Sequence, residues 1–272
     1  MSTHPQWQFV GNVRENYERY LVPSIFSPWA NDLVELAALQ PGDRVVDIAC
    51  GTGIVARTAA RRVRPGGSVI GLDLSTPMLE AARSAATAEG LSIEWREGSA
   101  VKLSLVDAAF DVVLCQQGLQ FFADRSAALS EMHRVLRPGG RVALSVWCGI
   151  DRSPGFAVLA ETLTRRISPE AGALMTSGPF GLSSAEELRA LVAAANFRDI
   201  AIHPAVKILR YPSPHEFVLR YVAGSALVGP VSGTTDSARA ALLADVNERL
   251  QRYVDDRGLG FPIETNMLVA RK

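Results

Sequence analysis

Short blocks of consecutive apolar residues, each closed by a turn signal and followed by helical spacing, repeat through the first half of the chain. Strand-length blocks fall at 44–49, 68–73, 91–97, 110–115 and 141–147, and helical spacing fills 53–63, 76–89 and 124–136. Strands this apolar are covered on both faces, and their alternation with helices predicts a parallel, doubly wound α/β sheet. Ahead of this core, residues 11–39 carry two helices expected to break around Pro23 and Pro28, with Tyr17, Tyr20, Phe26 and Trp29 along them. Behind it, helical spacing returns at 155–167, at 183–196 and across 213–256, with strands at 199–210 and 263–270. The expected organisation is a helical segment over 1–39, an α/β core over 40–148 and a C-terminal part over 149–272.

The segment from Val45 to Ala56, VVDIACGTGIVA, reads as a buried strand, a glycine turn and the start of a helix. Glycine lets a ligand approach the backbone and tolerates positive φ, and a helix N-terminus offers free N–H groups. A nucleotide-like cofactor suits such a turn. Gly51 to Ala56 also satisfies the dinucleotide fingerprint, which keeps an NAD-linked oxidoreductase as an alternative. Asp47 opposes it, because a carboxylate facing a pyrophosphate is costly unless a cation or donor meets it. S-adenosylmethionine brings an α-ammonium and a sulfonium and has no phosphate. The other reading of Asp47 is that it caps the turn through backbone amides. Asp73 closes the second strand about twenty residues after the turn, the spacing at which a carboxylate receives a ribose diol. Ser75-Thr76-Pro77 then opens a helix, and Met78 on it reads either as a contact for an adenine ring or as an ordinary core methionine.

Two further segments complete the pattern. Phe110 to Phe122 is a central strand running into a polar, aromatic loop, and Glu131 to Trp147 is a helix end, a Pro-Gly-Gly turn and another strand. With Asp47 to Gly53 and Asp73, they make the chain resemble a class I S-adenosylmethionine-dependent methyltransferase of the small-molecule kind, related to quinone-precursor C-methyltransferases. The resemblance implies a seven-stranded, mostly parallel Rossmann-like sheet closed by an antiparallel hairpin. It also implies an N-terminal lid and helical substrate caps at about 150–178 and 213–256. By the same likeness the cofactor is held by Asp47, Ala49, Cys50, Gly51, Thr52 and Gly53, by Asp73, Leu74 and Met78, by Ser99 and Ala100, by Cys115, Gln116 and Gln117, and by Tyr20 from the lid. Gln120, Phe121 and Trp29 would face the substrate. The chain departs from the family in two places. Ser99 stands where relatives usually carry an aspartate for the adenine amino group, a change expected to cost about 1 kcal/mol of recognition. The loop Gly118-Leu119-Gln120-Phe121-Phe122 lacks the histidine that many relatives place there, so no general base is assigned.

Composition narrows the function. A chain of 272 residues with 48% hydrophobic content buries one large core. The formal charge is zero with no long basic run, so no nucleic-acid footprint is visible. Lysine occurs only at Lys102, Lys207 and Lys272, and arginine carries the remaining positive charge, a composition of GC-rich bacterial genomes. Cys50, Cys115 and Cys148 lie at or near strand ends and read as buried thiols of a reducing cytoplasm, with no spacing for a metal. Met1 to Trp7 lacks the regions of a signal peptide, and no apolar run has membrane-span length. A cytosolic protein with a small-molecule substrate and no nucleic-acid or membrane partner is expected, and no coiled-coil seam sets an oligomeric state.

Of the histidines, His4 belongs to a tail, His133 to a helix face and His203 to a strand before Pro204. His215, in the expected cap, is the weak candidate for catalytic or substrate contact. Phe156, Phe180, Phe217, Tyr221 and Phe261 near the cap suit either an apolar substrate or core packing. No Asn/Asp-Pro-Pro-Tyr motif follows the fourth strand, which opposes a nucleobase or protein amine as acceptor. The expected activity is methyl transfer to oxygen or carbon, less readily nitrogen, of a small apolar or aromatic metabolite. A sulfonium-assisted cyclase or lyase on the same fold is the first alternative.

Overall fold

The computed structural model describes residues 13–272. Backbone helix runs from α1 (Val13–Asn16) through a π-helical segment (Tyr17–Phe26) into α2 (Ser27–Leu36). The breaks expected at the prolines do not occur. Pro28 sits in the first turn of α2, where no N–H is required, and Pro23 falls in the widened π turns that accommodate a missing donor. The chain continues with β1 (Arg44–Ile48), α3 (Ile54–Arg62), β2 (Ser68–Asp73), α4 (Thr76–Ala88), β3 (Glu94–Glu97), β4 (Phe110–Gln116), α5 (Arg125–Val135) and β5 (Leu136–Trp147). It ends with α6 (Pro154–Arg166), α7 (Pro169–Thr176), α8 (Ala185–Ala194), β6 (Arg198–Tyr211), α9 (Pro214–Ala223), α10 (Val228–Ser232), α11 (Asp236–Leu250), β7 (Val254–Asp255) and β8 (Gly258–Arg271).

Two compact units divide these elements. The α/β unit comprises residues 26–148, 182–205 and 265–272. Strand order along the sheet is β3-β2-β1-β4-β5-β8-β6, and the two-residue β7 pairs with β8 as an eighth strand beyond the expected seven. The pairs β1–β2, β2–β3, β1–β4 and β4–β5 are parallel. β8 returns antiparallel to β5, with Arg141 opposite Arg271 and Trp147 opposite Thr265. Chain order therefore reverses between β1 and β4, the place where open α/β sheets form a crevice beyond their carboxyl ends. Every residue of β4 is buried, with the apolar run Val112–Cys115 at its centre and Asp111 and Gln116 toward its two ends. Val46, Ile48, Val113 and Leu144 of the sheet pack with Leu129 and Met132 of α5 and with Leu188 and Val192 of α8. At the opposite, amino end, Asp111 accepts from the Arg44 backbone N–H at 2.7 Å and from the guanidiniums of Arg44 and Arg137. Desolvation pushes its carboxyl up, but these donors outweigh it and hold it below the ordinary value.

The helical unit comprises 13–25, 149–181 and 206–264 of the described residues. Its core is aromatic. Phe156 has the rings of Tyr221, Phe217, Phe261 and Phe180 at 5.0, 5.5, 5.7 and 5.9 Å. Gly155 lets α6 approach this cluster, because a Cβ there would overlap the Phe261 ring. All five aromatics are buried, so they pack the interior of this unit. Among the described residues, no helix is long and apolar enough to cross a membrane.

Candidate active site

The turn after β1 is built from left-handed residues: Ala49 (φ +57°), Gly51 (+54°) and Gly53 (+83°). Alanine pays for this conformation where glycine does not, on the order of 1–2 kcal/mol, a strain that persists only where surroundings enforce it. Gly53 is the N-cap of α3, and a Cβ on it would overlap the Trp95 indole. Trp95 stands opposite Gly71 in the β2–β3 pair, and a Cβ on Gly71 would overlap the same ring. The indole thus fills a slot cut by two glycines. Gly51 N–H donates to Asp73 Oδ2 at 2.8 Å and Ser75 N–H to Oδ1 at 2.9 Å, so one carboxylate fastens the β1 turn to the end of β2.

Asp47 is 1% exposed, and its Oδ2 accepts the Ala56 N–H at 3.0 Å in the first turn of α3. Here the carboxylate does cap the helix that follows it. Burial pushes this carboxyl well above its ordinary value; the Ala56 N–H pulls it back and the Asp73 charge adds to the rise. Thr52, in the same turn, is buried, and its Oγ1 has no hydrogen-bond partner within the protein.

The loop after β4 meets this turn. A Cβ on Gly118 would lie 2.8 Å from Ala49 Cβ and 2.9 Å from Cys115 Sγ, so only glycine lets the two loops pack this closely. Gln116 Nε2 donates to the Phe26 carbonyl at 3.0 Å, while its Oε1 is buried without a partner. Gln117, in the left-handed region at φ +53°, donates from Nε2 to Thr265 Oγ1 at 3.1 Å. Its Oε1 accepts Gln120 Nε2 at 3.0 Å. Phe121, next along, is 58% exposed. Cys115 is wholly buried in the core, where desolvation first and the Asp47 charge second push its thiol up to about 12. A separate cleft of about 310 Å³, lined by Arg64, Ser68, Ser92 and Glu94 among others, opens at the amino ends of β2 and β3, away from these residues.

Residues 46–144 match the family model described as a methyltransferase domain. The chain is 36% identical over 180 residues to demethylmenaquinone methyltransferase of Thermus thermophilus, covering 62% of this chain and 80% of that protein. It is 32% identical over 208 residues to nocamycin O-methyltransferase of Saccharothrix syringae, covering 71% of this chain and 72% of that one. The chain belongs to the class I S-adenosylmethionine-dependent methyltransferases. The fold agrees with a solved structure of Haemonchus contortus phosphoethanolamine N-methyltransferase 2 in complex with S-adenosyl-L-methionine. The TM-score is 0.62 at 20% identity, over 99% of this chain and 58% of that one.

In this methyltransferase the remaining sequence-predicted residues fall in different surroundings. Leu74 is 73% exposed just past β2, and Met78 is half-buried in the first turn of α4. Cys50 is buried and donates its N–H to the Leu72 carbonyl. Ser99 and Ala100 are half-buried, with Ser99 bridged to Lys102. Trp29 is buried edge-on to Trp147 at 6.1 Å. Tyr20 and His215 belong to the helical unit, where Tyr20 has the guanidiniums of Arg19 and Arg220 at 5.2 and 5.6 Å from its ring. His133 packs edge-on to Phe197, and burial, then Lys272 and Arg198, lower its pKa. His203 is exposed on β6, and His4 lies outside the described residues.

Sequence reasoning overlooked Trp95, Gly71, Gly118, Ser145 and Thr265. Trp95 announces itself only through the glycine opposite it in a strand pair. Thr265 lies 148 positions from Gln117, a distance that local pattern cannot bridge.

Proposed function

We propose that this methyltransferase binds S-adenosylmethionine at the carboxyl ends of β1, β2 and β4 and methylates an oxygen or carbon atom of a small, apolar or aromatic metabolite. The observation that carries this reading is a set of acceptors gathered around a left-handed turn. Each Asp73 oxygen accepts one backbone N–H and keeps lone pairs for a ribose diol. The unpartnered Oε1 of Gln116 suits an α-ammonium, and the half-buried acid Asp73 and the buried Asp47 favour a cationic guest over a pyrophosphate. These residues fit the cofactor of the family. The relatives named for demethylmenaquinone and nocamycin support a small-molecule acceptor.

When bound, the cofactor supplies an activated methyl group on its sulfonium. The chain's own task is alignment, which is worth roughly 7–11 kcal/mol when reactants are held in attack geometry. Gln116 orients the methionine tail, Asp73 the ribose, and the left-handed turn lets the backbone approach. The loop after β4 offers a neutral amide at Gln120, held by that of Gln117, which orients an acceptor without taking its proton. Cys50 and Cys115 take no nucleophilic part, because burial holds both thiols in the neutral form.

The test is incubation with methyl-labelled S-adenosylmethionine and a bacterial extract split into small-molecule and macromolecular fractions. Label is expected in the small-molecule fraction. Label on protein or nucleic acid would overturn the substrate class, and failure to bind S-adenosylhomocysteine would overturn the cofactor site.

A further inference from the structure

A chain of hydrogen bonds inside the α/β unit gives one glutamine a fixed polarity. Thr265 Oγ1 donates its single hydrogen to the Val146 carbonyl at 2.8 Å, so only its lone pairs remain for Gln117. They receive Gln117 Nε2 at 3.1 Å, with Ser145 Oγ a further 3.4 Å contact of the same nitrogen. With its nitrogen committed, the Gln117 amide turns Oε1 to Gln120 Nε2 at 3.0 Å. The Gln120 amide is thereby set as well: nitrogen bound inward, oxygen left over. Gln120 is 4% exposed, and its Oε1 is buried without a hydrogen-bond partner in the protein.

A buried acceptor is not left empty without cost, and Gln117 and Thr265, 148 positions apart in the chain, hold this one so. The Gln120 backbone is pinned too, since its carbonyl accepts Arg125 Nη2 at 3.2 Å. Directly after it stands Phe121, a large aromatic side chain that the protein leaves 58% exposed. A fixed, neutral acceptor suits a molecule that brings a hydroxyl donor.

We propose that Gln120 Oε1 is the specificity-determining contact for the methyl acceptor, receiving the O–H of a phenol-type substrate, and that Thr265 and Gln117 are positioning residues that set its polarity. The inference rests on the methyltransferase reading above. A substrate of the same shape without the hydroxyl leaves Oε1 unsatisfied and is rejected on that account. Gln120 thus discriminates by what the acceptor donates, whereas a titratable residue there would discriminate by charge.

The experiment uses the full chain saturated with S-adenosylhomocysteine and compares 1-naphthol with 1-methoxynaphthalene by calorimetry. These probes share the ring system and differ in the donor. The unaltered protein is expected to bind 1-naphthol at least tenfold more tightly. In Gln120→Met, of similar volume, the ratio should fall below about threefold, while affinity for S-adenosylhomocysteine stays within twofold. Thr265→Val should erode the preference and Thr265→Ser restore it, a pattern that a packing role for Thr265 does not produce.

Equal binding of the two probes, failure to bind 1-naphthol at millimolar concentration, or an unchanged ratio in Gln120→Met would each overturn the proposal. A selective loss of S-adenosylhomocysteine affinity in Gln120→Met would overturn it too, by turning Oε1 toward the cofactor. If the unaltered protein does not bind S-adenosylhomocysteine, the methyltransferase site itself fails, a result read before any naphthalene is added.

Discussion

The two sides of the β1/β4 switch solve different problems with different chemistry. On the β1–β2 side, a carboxylate fastens a left-handed turn through two backbone N–H groups, and a second, buried carboxyl caps the following helix. On the β4–β5–β8 side the polar groups are neutral, two amides and two hydroxyls joined in a line that ends on an unused acceptor. Charge and backbone serve to hold a cation, because their attraction survives small errors of position. Neutral hydrogen bonds are weaker and directional, so they serve to orient. Gly118 against Ala49 brings the two sides together without mixing them.

The sharpest way to break this contrast is to remove the acid on the first side. Asp73→Ala should weaken S-adenosylhomocysteine binding by about 100-fold or more, since charge-assisted hydrogen bonds contribute roughly 1.5–3 kcal/mol each. Gln117→Leu, on the second side, should change that affinity by less than about threefold while costing about 1 kcal/mol of stability. Equal losses in a titration calorimeter would erase the distinction.

Next comes Gly53→Ala, which combines left-handed strain with overlap on Trp95. A loss of about 3 kcal/mol is expected in urea unfolding, the sum of the strain and an overpacking term. Combining it with Trp95→Leu should cost less than the two single changes added together, and strict additivity would show that the indole does not feel residue 53.

A smaller effect concerns protons. The Asp47 carboxyl is pushed up by burial, and an incoming cation favours its charged form and lowers its pKa again. Cofactor binding should release up to about one proton, so affinity rises with pH and falls as pH drops. Calorimetry in buffers of different ionisation enthalpy measures this directly, and Asp47→Asn should abolish it.

Smallest is the change at the far end of the sheet. Asp111→Asn should cost about 1 kcal/mol and leave cofactor affinity untouched. Because the folded Asp111 carboxyl sits below its ordinary value, its contribution is present above the unfolded carboxylate range and disappears as pH falls through the folded value. The deficit of the variant in acid and neutral melts should therefore converge toward low pH.

The contrast also explains what a reader of the sequence sees. The strands, the glycine turn and Asp73 are written in consecutive residues, since an apolar run and a turn state their own conformation. The fate of Asp47 was divided in the sequence between ligand and cap, and the Ala56 N–H supplies the cap directly. The N-terminal helix did not stop at Pro23, because local proline rules presume an α-helix and the chain there is π-helical. Phe156 and its neighbours left lining and packing equally open, for aromatic spacing is the same in both. The role of Gln117 was invisible, because its partner arrives on the last strand.

Gly53, Gly71 and Trp95 form a slot and the plate that fills it, and this links their histories. A side chain at 71 cannot arise by drift while the indole remains, and an indole cannot be gained at 95 until both glycines are in place. Loss of the tryptophan would release residue 71 from this constraint. Residue 53 would still be held to glycine, because it also carries the positive φ.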